Sequence, residues 1–129
     1  MAACDEARQL IQAAKKDWRA LGAMTDPEVF ADEIFGFHAQ QLIEKALKAW
    51  LCLLDIEYPH THDISLLLRL IAERGCSVEP LLDLIAFNPY AVQYRYDAFD
   101  EMGETFDRDA AIARVGEVLG MIEGMIADK

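Results

Sequence analysis

Hydrophobic residues recur at intervals of three and four along most of the chain, which is the period of an amphipathic α-helix. Near the N-terminus they form one apolar stripe of Ala7, Leu10, Ile11, Ala14, Trp18 and Leu21. This stripe predicts a first helix over about residues 4–22, which ends near Gly22. No stretch alternates apolar and polar residues for long, so β-strands are not expected.

The sequence TDP at positions 25–27 can begin a second helix, because Thr25 or Asp26 can cap it and Pro27 suits the first helical position. The helical pattern continues to Leu54, with Gly36 as a candidate kink. Its predicted core face consists of Phe35, Ala39, Leu42, Ile43, Ala46, Leu47, Trp50 and Leu54. The sequence EYPHTHD then ends the helix, because proline disfavours helical conformation in the residue before it.

A third helix is predicted over about residues 62–74, with Thr61 or His62 as its cap. Asp63 then falls in the first turn, where an acid is favourable, and Gly75 ends the helix. Its core residues are Ile64, Leu67, Leu68 and Ile71.

A shorter helix is expected after Ser77, with a break at Asn88-Pro89, and the last helix begins with Asp107 as its cap. The core stripe of the last helix is Ile112, Val115, Leu119, Ile122 and Ile126. Together these patterns predict an all-α protein. We expect an up-and-down antiparallel four-helix bundle with a short additional helix, in one domain over residues 1–129.

The charge balance disfavours two classes of partner. The net charge is −11, with 12 basic against 23 acidic residues, and the basic residues form no cluster. General nucleic-acid binding and attachment to an anionic membrane surface both need basic patches, so neither is expected. There is no apolar run long enough for a membrane span, and Asp5 and Glu6 lie where a signal peptide needs basic residues. We therefore expect a cytoplasmic protein.

The chain lacks the short motifs that most often carry catalysis or metal binding. Its three cysteines are widely spaced, and no CxxC pair occurs. There is no Gly-rich phosphate loop, no HExxH and no nucleophile motif. We predict no metal site, no cofactor and no catalytic residue.

The polar face of the second helix permits two interpretations. It reads Gln40, Gln41, Glu44, Lys45 and Lys48. A solvated face is one interpretation, since Glu44 and Lys48 are spaced for an exposed ion pair of about 0.3–0.5 kcal/mol. The other interpretation is that the face lines a binding site.

Two shorter polar motifs are equally open. Helix capping explains the sequence THD at positions 61–63, although a neighbouring His and Asp can also indicate acid–base chemistry. In the sequence YRYD, Arg95 can make a planar contact to a carboxylate or phosphate, or it can pair with a nearby acid.

Taken together, the segments FHAQQLIEKALKAWL, HTHDISLLL and YRYD, followed by an amphipathic helix, resemble the HEPN domain family (higher eukaryotes and prokaryotes nucleotide-binding). The family pattern has paired glutamines before Glu-Lys-x-x-Lys-Ala, a Thr-His-Asp helix start and an Arg-Tyr pair. The matching positions are Gln40, Gln41, Glu44, Lys45, Lys48, Ala49, Thr61, His62, Asp63, Arg95 and Tyr96. The resemblance covers about residues 5–126.

The resemblance implies a homodimeric helical bundle that works with a separate small nucleotidyltransferase and binds a nucleotide. It also implies a set of ligand- or partner-binding residues: Gln41, Glu44, Lys45, Lys48, His62, Asp63, Arg95 and Tyr96. On this view Lys45, Lys48 and Arg95 offer positive charge to a phosphate or to an acidic partner.

Some members of the family are ribonuclease toxins, which carry an Arg followed after four to six residues by a His. Here Arg95 is followed by YDAFDEMGETF, and no His occurs after His62. We therefore expect a non-catalytic protein. The alternative is a divergent ribonuclease, the toxin of a toxin–antitoxin pair, that uses Arg95 with His38 or His62 as the acid–base partner.

Two features bear on the predicted homodimer. Some apolar residues lie off the main stripes and favour a helix-to-helix contact between copies: Leu51, Leu53, Leu66 and Leu70. In the last helix, three glycines spaced by four predict the close approach of another helix: Gly116, Gly120 and Gly124. For these glycines we favour a contact within the bundle over one between copies.

Overall fold

The structure, a computed structural model, describes residues 2–91 and 107–128. It contains four α-helices and a 3-10 segment: α1 (Ala2–Ala23), α2 (Asp32–Leu53), α3 (Ile64–Ala72), the 3-10 segment (Glu79–Ala91) and α4 (Arg108–Ala127). The described residues contain no β-strand, so the predicted all-α bundle is confirmed. Helix α2 is central and contacts each of the other four elements. No helix in the described ranges is long and apolar enough to span a membrane.

The apolar stripes predicted from the sequence meet in one core. Ala7, Ile11 and Ala14 of α1 are buried together with most of the predicted faces of α2, α3 and α4, whereas Leu10, Leu54 and Ile112 are partly buried and pack against this core. Trp18 departs from its stripe, because it lies at the surface with 39% of its area exposed. The core therefore follows the helical periodicity, and the residues that depart from it lie at the edge of the core.

Two of the four leucines that favoured a dimer have another explanation. Leu51 and Leu53 are 0% and 9% exposed within the single chain, so that interpretation of these two residues is wrong. Both lie on α2, which other helices surround on several sides and which therefore has more than one apolar face. Leu66 and Leu70 are partly buried.

Helix α2 begins five residues after Pro27, and Thr25 and Asp26 do not cap it. Instead, the Asp26 carboxylate accepts the Glu28 N–H at 2.9 Å, and the Asp26 carbonyl accepts the Phe30 N–H at 2.9 Å, which closes a separate turn. Ala31 is extended (φ −64°, ψ 154°), and only then does α2 start. The capping signal at positions 25–27 thus belongs to this short turn.

Arg108 explains why this turn and α2 stay separate. It is the first residue of α4, directly after Asp107, which caps the helix as predicted by accepting the Ala110 N–H at 3.0 Å. The guanidinium is 6% exposed and donates to the carbonyls of Met24 and Phe30, at 2.8 and 2.7 Å. It also donates to the Asp32 carboxylate at 2.7 Å. Arg108 thereby ties the α1–α2 connection to the start of α4.

Gly36 allows a close contact between α2 and the ring of Tyr90, whereas the sequence suggested a helix kink at this position. Helix α2 runs through it without interruption, and the ring of Tyr90 lies against its backbone. A Cβ added at Gly36 would lie 2.5 Å from Cγ of Tyr90, so no larger residue fits. The glycine therefore lets the 3-10 segment pack directly on α2.

Two predictions around α3 need correction, and one is confirmed. The cap is Asp63 rather than Thr61 or His62, since its carboxylate accepts the Ser65 N–H at 3.0 Å. Gly75 does end the helical region, with φ 85°. The predicted short α-helix is instead the 3-10 segment, and Pro89 lies inside it rather than breaking it. Proline lacks the N–H that a continuous α-helix needs, which favours this irregular winding.

Candidate functional site

The polar face of α2 is buried at its centre, so it is not simply a solvated surface. Gln40 is 0% exposed and Glu44 is 5% exposed. Burial of a charged carboxylate is costly unless it is paired and hydrogen-bonded. Glu44 therefore needs partners, and they come from α2 itself and from the residue before the α3 cap.

Five residues form what we call the Glu44 cluster: Gln40, Gln41, Glu44, Lys48 and His62. Lys48 Nζ donates to Glu44 Oε1 at 2.5 Å. Oε2 of Glu44 accepts from Gln40 Nε2 at 3.1 Å and lies 2.9 Å from His62 Nδ1. Gln40 Nε2 also donates to the backbone carbonyl of His62 at 2.9 Å, and Gln41 Nε2 donates to the side-chain oxygen Oε1 of Gln40 at 2.9 Å. Spacings of four along α2 place Gln40, Glu44 and Lys48 on one side of the helix.

The cluster keeps Glu44 ionised at neutral pH. Burial by itself raises the pKa of a carboxyl group, but the hydrogen bonds from Lys48 and His62 and the charge of Lys48 outweigh it and lower the pKa of Glu44. Because an ionised carboxylate only accepts hydrogen bonds, His62 Nδ1 carries the proton in this contact.

This lowered pKa makes a prediction about stability in acid. A carboxyl group with a folded pKa below its usual value of 4.5 contributes stability above pH 4.5, and the contribution is lost as the pH falls through the folded pKa. We expect the free energy of unfolding to fall with pH in that window, and to fall less steeply in the Glu44→Gln variant. Urea unfolding from neutral pH into the acid range measures both slopes. Equal slopes would contradict the role given to Glu44, since Asp63 and Asp83 keep their own lowered pKa values in both proteins.

His62 is the exposed edge of the cluster. Its side chain is 67% exposed, whereas the side chain of Glu44 is 6% exposed. Within residues 2–91 and 107–128, no hydrogen bond engages the second ring nitrogen, Nε2. A histidine oriented by a buried carboxylate in this way can donate or accept a proton, or contact a partner, through Nε2.

The Asp63 side chain is engaged within the chain, where it caps α3 and bonds to the 3-10 segment. Its Oδ1 accepts from Ser65 Oγ at 2.6 Å and from Asn88 Nδ2 at 2.8 Å. These hydrogen bonds lower the pKa of Asp63. Asn88 in turn accepts the Ile64 N–H at 2.8 Å, so the 3-10 segment helps to hold the start of α3.

The two lysines predicted to meet a phosphate are each paired with an acid of this chain. Lys45 lies outside the cluster, because its Nζ donates to Asp17 on α1 at 2.6 Å. Lys48 is held by Glu44, with its ammonium 5.4 Å from the centroid of the Tyr58 ring. Neither ammonium is thus a free anion-binding group.

The structure brings together four of the eight residues predicted as a site: Gln41, Glu44, Lys48 and His62. Arg95 and Tyr96 lie outside the described residues. The predicted binding residues did not include Gln40, which the sequence placed only in the polar face of α2, and they did not include Asn88. Gln40 carried a signal, because it precedes Glu44 by four residues in the same stripe, whereas Asn88 lies 25 residues from Asp63 and carried none. In the described part of the chain, no group of three or more His, Cys, Asp or Glu residues could hold a metal ion.

Comparison with known protein families gives a match over nearly the whole chain. A family model described as HEPN domain matches residues 5–125, which include all five residues of the Glu44 cluster. Curated proteins and solved structures give no significant match.

Proposed function

Because this chain belongs to the HEPN domain family, we propose that it is a non-catalytic binding and interaction module that acts with a separate small nucleotidyltransferase. One observation supports this most directly. In the described residues, no buried side-chain nitrogen or oxygen lacks a hydrogen-bond partner. The buried side chains of the Glu44 cluster are therefore satisfied by hydrogen bonds within the chain. The exposed edge of His62 is the part of the cluster that can contact a partner.

The pairing of the lysines favours a protein partner over a nucleotide at this surface. A nucleotide phosphate would have to compete with Asp17 for Lys45, or with Glu44 for Lys48. A protein partner needs only to cover His62 and the exposed groups around it. We include a homodimer in the proposal, and nucleotide binding as a weaker second contact of the same module.

Capture by the tagged full-length protein tests the proposal. We expect it to retain a nucleotidyltransferase encoded beside its own gene, and the His62→Ala variant to retain at least roughly tenfold less, the loss typical of a central contact. His60→Ala is the matched control, since His60 is also exposed and lies outside the Glu44 cluster. An unlinked gene neighbourhood with no such enzyme captured would refute the proposal. If His62→Ala captures the enzyme as well as the wild type does, the Glu44 cluster is not part of the contact surface.

A divergent ribonuclease is the second candidate, and the pair of His62 and Glu44 favours it. A carboxylate at 2.9 Å from Nδ1 holds the imidazole with Nε2 exposed, which suits a general acid or base. His38, the other candidate, contacts the ring of Phe37 (centroids 5.7 Å apart) and is not part of the cluster. RNA cleavage by the purified protein that disappears in both His62→Ala and Arg95→Ala would establish this alternative. No cleavage is expected if the chain is a binding module.

A further inference from the structure

A long groove separates α1 from α4 on the surface of the bundle. One part, of about 260 Å³, is lined by Lys15, Trp18, Arg19, Gly116, Leu119, Gly120 and Glu123. At Glu123 it continues into a second hollow of about 230 Å³, between Arg8, Ile11 and Gln12 on one side and Ile126 and Ala127 on the other. We call the two together the α1–α4 groove. The two hollows lie one after the other along the two helices.

Large apolar side chains are exposed on the two helices that border this groove, and Trp18 is among the residues that line it. Trp18 and Met121, on the two helices, are 39% and 40% exposed, and they are two of the four large hydrophobic residues exposed in the described ranges. The Trp18 ring is fixed, because its Nε1 donates to the Ile112 carbonyl at 3.0 Å. A rigid, half-exposed indole beside a hollow is suited to contact with another protein surface.

The three glycines of α4 differ in their surroundings. At Gly116 an added Cβ would lie 2.9 Å from Trp18 Nε1, so this glycine serves the packing of α1, as the sequence led us to expect. Around Gly120 and Gly124 nothing lies within 4 Å of such a Cβ. Glycine weakens a helix relative to alanine, and no contact within the described chain accounts for these two.

Charges of both signs lie along the same face. Lys16 and Arg19 are exposed on α1, and neither has an ion pair to a described residue. Glu117 is exposed on α4. On a chain of net charge −11, most surfaces repel a second copy, whereas this face can offer each copy both a cation and an acid.

We propose that the α1–α4 groove is the surface on which a second copy of this chain docks, an inference that rests on the homodimer in the proposed function. A two-fold axis parallel to the helices places α1 of each copy opposite α4 of the other. The hydrogen bond from Trp18 to Ile112 and the ion pair of Lys15 with Glu123 set the register of α1 on α4. Arg19 therefore lies level with Gly116, so that in the dimer it meets Glu117 of the other copy, while the open surface at each Gly120 leaves room for side chains of the other copy.

Gly120→Gln tests the steric part of this arrangement. The free chain has room for the new side chain, so it stays folded, while the dimer dissociation constant rises by at least roughly tenfold. Sedimentation across the micromolar range measures that constant, and circular dichroism checks the fold. Ala72→Gln, at an exposed position on α3, is the matched control and leaves the dimer unchanged.

A charge-reversal cycle tests the pairing itself. Arg19→Glu and Glu117→Arg each weaken the dimer, and the double variant restores it, because the two charges exchange places. If Gly120→Gln and both single reversals dimerise like the wild type, another face forms the dimer and this inference is wrong. A wild-type chain that sediments only as a monomer overturns both the groove and the homodimer. In that case capture of a nucleotidyltransferase remains a separate test of the module.

Discussion

Replacing Arg108 with methionine is expected to lower the free energy of unfolding by about 3 kcal/mol, at the lower end of the cost of breaking a buried ion pair, because Arg108 is 6% exposed whereas its partner Asp32 is 28% exposed. Methionine keeps much of the volume but none of the five donors. The carbonyls of Met24 and Phe30 and the Asp32 carboxylate, which now lie 2.7–2.8 Å from the guanidinium, lose that partner. The contact of the guanidinium with the Phe35 ring, at 5.0 Å from its centroid, is lost as well.

Arg114→Met in the same helix is the control. Arg114 also pairs with a carboxylate, Asp83, at 2.8 Å, but the two side chains are 29% and 56% exposed. An exposed pair is worth about 1 kcal/mol or less, so its loss should barely shift the midpoint of urea unfolding. Similar losses in the two variants would show that Arg108 is no more than a surface cation. A large loss confined to Arg108→Met supports its role in joining the α1–α2 connection to α4.

Much of the fold was predictable, because it follows from local periodicity. The stripe from Ile112 to Ile126 and the cap at Asp107 are both properties of residues that are close in sequence. Gly75 ends the helical region for an equally local reason, its positive φ. The sequence therefore predicts the helices and their buried faces well.

The start of α2 could not be predicted in the same way. Pro27 and its neighbours are a sound helix signal, and they do form a turn. What keeps that turn apart from α2 is Arg108, whose partners lie 76 to 84 residues away. Nothing in the sequence around an arginine at a helix start indicates that its hydrogen-bond acceptors lie so far away along the chain.

Four of the eight predicted site residues lie in one cluster, but their arrangement could not be predicted from the sequence. Lys45 and Lys48 have the same helical pattern, yet one pairs with Asp17 across α1 and the other with Glu44 inside the cluster. The exposure of these side chains also differs from that of a solvated helix face, since Glu44 is buried and His62 is the exposed residue. Only tertiary packing decides which side of a polar stripe is covered.

Glu44→Ala is expected to lower the free energy of unfolding by about 3–5 kcal/mol, because it leaves a largely buried ammonium without its counter-ion. The Lys48 side chain is 13% exposed, and its Nζ now lies 2.5 Å from Glu44 Oε1. Gln40, at 0% exposure, loses one of its two acceptors but keeps the His62 carbonyl. Urea unfolding at neutral pH measures the loss, and a loss below about 1 kcal/mol would place the pair among ordinary surface pairs.

Replacing both Glu44 and Lys48 by methionine separates stability from recognition. Removing both charges of a buried pair and filling the space with apolar groups is often nearly neutral, so this double variant should recover most of the stability that Glu44→Ala loses. It does not restore the carboxylate that holds His62 Nδ1 at 2.9 Å, so the imidazole is free to turn. If the cluster exists to present His62, the double variant folds but captures the nucleotidyltransferase at least roughly tenfold less well than the wild type. If it folds and captures like the wild type, the Glu44 cluster is only a device for packing α2 against α3, and the partner must bind elsewhere.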